Sequence, residues 1–182
     1  MTIQDYLLIR KIKAGDKQAF ETLVQKHYQN IFSYCIRRTG NKVVATDLTQ
    51  DIFLKLIKAI YSYKFTGKFK NFLFTIAVNT CNDYYKKNKY SYEDIDALQK
   101  ADDSPQPIEQ VIHNEQAINI KGKIDTLPDT QKDVIILYYY HDMKIKDISN
   151  ITGVKLSTVK SRLKQGKKKL KKLLSEEDYL EE

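Results

Sequence analysis

The chain has 182 residues, enough for one ordinary domain or two small ones, and a formal charge of +8 with a pI near 9.2. Six Gly and three Pro leave little tight-turn chemistry, which disfavours a β-rich architecture, and no apolar run approaches bilayer length. His27, His113 and His141 are isolated and no secretory leader follows Met1, so the expectation is a soluble, cytoplasmic, non-enzymatic protein with no metal and no cofactor.

Charge is distributed unevenly. Residues 1–90 hold sixteen Lys+Arg against six Asp+Glu, residues 91–110 one against six, and residues 111–182 fourteen against eleven. Two basic blocks flank an acidic connector, and a polyanion is the expected partner of the blocks. Cys35 and Cys81 fall within apolar helical patterns and read as buried structural thiols.

Gly15-Asp16 opens the first long helix, with Asp16 suited to cap it and Phe20, Leu23, Val24, Ile31, Phe32, Cys35 and Ile36 at helical spacing. After Gly40-Asn41 a second helix runs from about Val43 to Ile60. It turns Leu48, Ile52, Phe53, Leu56 and Ile57 inward and Asp47, Gln50, Asp51 and Lys55 outward. Tyr61, Tyr63, Phe65, Phe69, Phe72 and Phe74 then interleave with Lys64, Lys68 and Lys70, ahead of a helix from Phe72 to Tyr85 that ends in Lys86 and Lys87. Rings mixed with cations gain most from single strands, whose exposed bases can stack. Phe69, Phe72 and Ile76 read as core, whereas Tyr63 and Phe65 are expected to be open to contact. Asn79 and Asn82 sit on the polar side as hydrogen-bonding partners. The acidic stretch Asp94 to Glu109, with Pro105 and Pro107, has the composition of a flexible linker.

Near the other end, a short amphipathic helix from Met143 to Thr152, a Gly153-Val154 turn and a longer helix to Leu174 have helix-turn-helix spacing, which suits a DNA major groove. No acidic residue lies between Asp147 and Glu176. Val159, Leu163, Gly166, Leu170 and Leu173 form the inward stripe, Gly166 implying a close helix approach. Lys155, Ser157, Thr158, Lys160, Ser161, Lys164, Gln165 and Lys168 are the expected DNA-facing set. Arg162 and Gln165 have the forked geometry that reads guanine or adenine edges.

Asp16 to Tyr28, Asp47 to Leu54, Phe69 to Thr80, and Leu127-Pro128 followed by Thr158 to Leu163 together resemble, in order and spacing, a bacterial RNA polymerase sigma factor of the small extracytoplasmic-function (ECF) type within the sigma-70 family. The resemblance implies an all-α fold of two small helical domains, a sigma region 2 bundle over 1–90 and a region 4 helix-turn-helix over 111–182, joined by a flexible acidic linker over 91–110. It implies that Asp47, Gln50, Asp51, Leu54 and Lys55 dock on the β′ clamp helices of core RNA polymerase, whose β flap is a further contact. Tyr63, Lys64, Phe65, Lys68, Lys70, Asn79, Asn82, Lys86 and Lys87 would meet the melted −10 element, and the set from Lys155 to Lys168 the −35 duplex. Promoter DNA, paired and single-stranded, and an anti-sigma factor are the other implied partners. Phe72 stands where the family usually has tryptophan and Phe65 where glycine is common. Lys155 replaces a capping serine, for which Ser157 is placed to substitute in part, while Lys164 and Gln165 depart from the usual recognition residues.

Two rivals compete with this reading. A stand-alone helix-turn-helix regulator would use the first block for dimerisation. A nucleic-acid enzyme would need a third carboxylate or His to join Asp47 and Asp51, and none converges in the sequence.

Overall fold

The computed structural model describes residues 3–65, 67–93 and 122–178, with side chains described to residue 87 in the second stretch and to 175 in the third. Helices and turns make up the described residues, with no strand among them. Most of the acidic connector lies outside this set.

The first module contains α1 (Ile3–Lys13), α2 (Lys17–Thr39), α3 (Lys42–Ala59) and α4 (Phe69–Glu93). Local chemistry sets the ends. The Asp16 side chain accepts the Ala19 N–H at 3.0 Å, starting α2. Gly40, at φ 70°, ends that helix with its N–H on the Ile36 carbonyl, and Asn41 caps α3 by accepting the Val44 N–H at 3.1 Å. Each side-chain cap contributes about 1 kcal/mol. Helix α2 packs on α1, α3 and α4, burying Leu23, Ile31, Cys35, Ile52, Leu56, Leu73 and Ala77. Two expectations need revision. Helix α4 starts at Phe69 and reaches Glu93, so the first connector positions are helical. Ile57 is 38% exposed, because it lies at the margin of the α3 stripe beside exposed Leu54.

The second module comprises α5 (Asp129–Ile135), a π-helical turn (Ile136–Tyr140), α6 (Ile145–Thr152) and α7 (Leu156–Asp178). The α6–α7 turn rests on Gly153, at φ 68°, a left-handed conformation that glycine adopts without a steric penalty. Ser149 Oγ secures the turn by donating to the Val154 carbonyl at 2.6 Å. Val159 and Leu163 are buried as the stripe requires, with Leu170 and Leu173 half-buried. Gly166 has the reason its position suggested: a Cβ there would lie 3.0 Å from Ile135 Cγ1 of α5. Met143 and Lys144 precede α6 rather than belonging to it.

The two modules also meet directly, a junction that no periodicity in the sequence announces. Helix α4 packs on α6 and α2 on the π-helical turn, giving one continuous buried cluster. At its centre Arg38, fully buried, donates from Nε to Asp133 Oδ1 at 2.7 Å and from Nη1 to Asp129 Oδ1 at 3.0 Å. Tyr34 donates to the same Asp133 oxygen at 2.8 Å, and His141 is enclosed by the rings of Tyr34 and Phe74.

Candidate nucleic-acid interfaces and docking face

Helix α7 begins at Leu156, which makes Lys155 the capping position; its carbonyl accepts the N–H groups of Thr158 and Val159. Ser157 therefore lies inside the first turn and does not replace the missing capping serine. It instead joins Lys155, Lys160, Ser161, Lys164, Gln165 and Lys168 on the exposed face, while Thr158 and Arg162 are half-buried at its edge. Among the described residues Lys155, Lys160, Lys164 and Lys168 have no ion-pair partner. Gln165 is partly engaged, its Oε1 accepting from Gln131 Nε2 at 3.2 Å.

The loop before α4 corrects the aromatic expectation. Tyr63 is core, 7% exposed, with its ring 4.7 Å from Phe72 and 5.8 Å from Phe69 between centroids and its hydroxyl donating to the Gly67 carbonyl. Burial raises its phenol pKa. The reason is position: a ring one loop ahead of α4 closes the end of the bundle over Phe69. Phe65 remains 37% exposed, and Phe72, expected in the core, is only half-buried. Beside them opens a groove of about 330 Å³, lined by Ser62, Tyr63, Lys64, Gly67, Lys68, Asn71, Phe72 and Thr75, with Asn150 of α6 at its rim. Ser62, Asn71 and Thr75 escaped the sequence reading; Asn71 and Thr75 share one α4 face with Lys68 at steps of three and four, which is the signal that could have found them. Further along α4, Asn79, Lys86 and Lys87 are exposed and Asn82 half-buried.

Two expected DNA contacts are occupied. Lys68 Nζ donates to Asp147 Oδ2 at 2.7 Å and Asn71 Nδ2 to Asp147 Oδ1 at 2.8 Å, joining the groove to α6. Burial would raise the Asp147 carboxyl, but the bonds from Lys68 and Asn71 outweigh it and hold its pKa low. Lys70 donates to the His141 carbonyl at 2.9 Å, and burial lowers its pKa.

On α3, Asp47, Gln50, Asp51, Leu54 and Lys55 are all exposed. Lys55 leans toward α4, donating to Thr80 Oγ1 at 3.1 Å with Asp83 4.0 Å away. Exposed Ile57 and Tyr61 extend this row by further helical steps, an apolar continuation that the inward placement of Ile57 had hidden. Among the described residues no cluster of three or more His, Cys, Asp or Glu could hold a metal ion. Cys35 and Cys81, far apart in sequence, are buried as expected.

An all-α chain with a helix-turn-helix in one module and an amide- and ring-lined basic groove in the other is a two-module nucleic-acid-binding protein. Residues 23–90 match the family model for sigma-70 region 2 and residues 118–170 that for sigma-70 region 4. The chain is 31% identical over 177 residues to the ECF RNA polymerase sigma factor SigW of Bacillus subtilis, covering 91% of this chain and 94% of that one. It is 27% identical over 159 residues to the sigma factor YlaC of the same organism, covering 86% and 92%. Among solved structures, the Bartonella quintana sigma factor RpoE superposes with a TM-score of 0.74 at 23% identity, covering 86% of this chain and 96% of that one. CnrH superposes at 0.70 and 20%, covering 94% and 97%. The chain belongs to the sigma-70 family of RNA polymerase sigma factors, in its ECF class: it is a transcription initiation factor that directs RNA polymerase to promoters. The two sigma regions set aside the stand-alone regulator. Sigma factors are non-catalytic initiation factors, and no helix among the described residues is long and apolar enough to cross a membrane.

Proposed function

We propose that the three surfaces divide the work of promoter opening, with 1–90 and 111–182 as the working units and 91–110 as the linker between them. The exposed α7 row, Lys155, Ser157, Lys160, Ser161, Lys164, Gln165 and Lys168 with Thr158 and Arg162 at its edge, grips the −35 duplex. Its lysines fix register on phosphate and its forked side chains read bases. The groove beside Phe72 takes an unstacked base of the −10 strand, with Lys64, Phe65, Lys68, Asn71 and Thr75 around it and Asn79, Asn82, Lys86 and Lys87 along the strand's path. Lys70 acts there only after leaving His141. The strand-opening power is differential binding: a groove that accepts a splayed base favours separated over paired DNA.

Asp47, Gln50, Asp51 and Leu54, extended by Ile57 and Tyr61, form the polymerase-docking row, with Lys55 at its flank. The observation that carries the reading is the α7 row of cations, without ion-pair partners among the described residues, on a helix-turn-helix. An anti-sigma factor is a fitting regulator, since the RpoE neighbour was solved with the anti-sigma factor NepR. The site of action is the cytoplasm, where promoter DNA lies. Because Lys68 and Asn71 already hold Asp147, the junction must open before the strand can enter.

The test is run-off transcription with core polymerase over a randomised promoter library. Lys160→Ala with Lys164→Ala should weaken −35 engagement on all sequences alike while keeping core binding, and Asp47→Arg with Asp51→Arg should lose core binding itself. Retention of both functions by both double variants would refute the assignment.

A further inference from the structure

Helix α1 precedes the residues matched by the region 2 model, yet it makes the contacts that shape the loop between α3 and α4. Lys13 Nζ donates to the Tyr63 carbonyl at 2.7 Å and lies 5.4 Å from the Phe65 ring centroid. The Tyr6 ring, one face of α1 with Lys13 at a spacing of seven, sits 4.7 Å from the same Phe65 ring. On its other side Phe65 meets Tyr63 at 5.5 Å, and Tyr63 in turn holds the Gly67 carbonyl and touches Phe72 in the groove. The loop is thus pinned at three successive alternate positions, 63, 65 and 67, with α1 supplying the first two restraints.

Attachment of α1 to the bundle does not need these contacts. Ile9 and Ile12, both buried, and Asp5, bonded to Lys26 and His27 of α2, hold the helix in place. Tyr6 and Lys13 stand on the adjoining face, toward the loop. Phe65 gives them a ring to grip. A glycine there would leave the loop free to adopt many shapes; a ring held by a cation and a second ring selects one.

We propose that Tyr6 and Lys13 are positioning residues that fix the shape of the base-capturing loop and thereby set the −10 base preference of this sigma factor. The inference deepens the proposed function and rests on the reading that this loop and its groove face the −10 strand. Neither residue touches DNA in this scheme; both act through Phe65 and the Tyr63 backbone.

The experiment pairs two measurements on Lys13→Met, Lys13→Arg and Tyr6→Leu. The first is the rate of tryptic cleavage after Lys64 in the full free chain. The second is the base preference of the reconstituted holoenzyme on a promoter library randomised across the −10 element. Lys13→Met and Tyr6→Leu should each raise cleavage and flatten base discrimination roughly tenfold, core binding being kept, because a pinned loop becomes an ensemble. Lys13→Arg, which keeps the cation and donor, should restore both. Faster cleavage with unchanged base preference overturns the proposal, as does no change in either. A further variant, Lys64→Ala with Asn71→Ala inside the groove, separates the two levels. If it too leaves base preference unaltered, the groove reading fails; if it alters preference while Lys13→Met and Tyr6→Leu do not, only the role of α1 fails.

Discussion

Acid should open the junction between the two modules, and His141 should carry much of the effect. The residue is 5% exposed, ringed by Tyr34 and Phe74, and its Nε2 finds no hydrogen-bond partner among the described residues. Burial, then the charges of Lys70 and Arg37, lower its pKa from 6.5 to about 4. Well above pH 6.5 the ring is neutral whether the junction is closed or open, and it adds no pH dependence. As pH falls below 6.5 the open form takes up a proton that the closed form refuses, so closure weakens until the closed form also titrates near 4. At pH 5 that linkage amounts to about 2 kcal/mol against closure, roughly a thirtyfold shift toward the open form. Asp147, whose pKa is held low, adds in the same direction at more acid pH, while Asp133, raised by burial, opposes. The difference between wild type and His141→Gln isolates the imidazole. Energy transfer between dyes on Lys58→Cys and Lys168→Cys, followed from pH 7.5 to 5, should report separation in wild type and a much flatter response with His141→Gln. Equal responses from the two proteins would refute the assignment of the switch to this ring.

Asp133→Ala should destabilise the junction by about 1.5–3 kcal/mol, because the buried Arg38 guanidinium then keeps only the more exposed Asp129 as its carboxylate partner; denaturant unfolding measures it. Gly166→Ala should lower stability by about 1 kcal/mol despite alanine's better helix propensity. Its Cβ would lie 3.0 Å from Ile135 Cγ1, so that this buried side chain must shift out of its packing, and thermal unfolding of the full chain would show the loss. Replacing Lys160 or Lys164 by Ala should reduce the salt dependence of holoenzyme binding to a −35 duplex by about 0.9 in log–log slope per residue, equally for all sequences. A change confined to particular bases would instead make that lysine a base reader.

The sequence showed the elements and the two α-helical modules because both depend on short-range rules. Capping by Asp16, the Gly40-Asn41 break, the Gly153 turn and the stripe through Val159, Leu163 and Gly166 are all readable within a few residues of chain. The α7 face was readable for the same reason: a helix with one buried stripe must expose the other side. The groove was only partly legible. Tyr63 looks like an exposed loop ring until Phe69 and Phe72 fold back over it, and Asn71 becomes conspicuous only through the space beside it. The junction was invisible, since Tyr34 and Arg38 lie 99 and 95 residues from Asp133, and no local period links positions so far apart.

The composition of that junction explains why closure can coexist with a function that requires opening. Its centre is formed by Tyr34, Phe74 and the enclosed His141 ring, and the polar part is expensive. Burial raises the Asp133 carboxyl even with Arg38 and Tyr34 bonded to it, so desolvation consumes much of the ion pair's attraction. Arg38 Nη2 and His141 Nε2 are buried without partners among the described residues, each costing about 1–3 kcal/mol that water would remove on opening. Lys68 and Asn71 lose Asp147 on separation but regain solvent or a phosphate at once, because Lys68 is half-exposed already. Each module keeps its own core when the junction parts: Leu23, Ile31 and Leu56 in the first, Val159, Leu163 and Ile151 in the second. The polar centre is therefore specific in geometry yet contributes little net free energy, which leaves docking on a larger machine less to overcome when it prises the contact open.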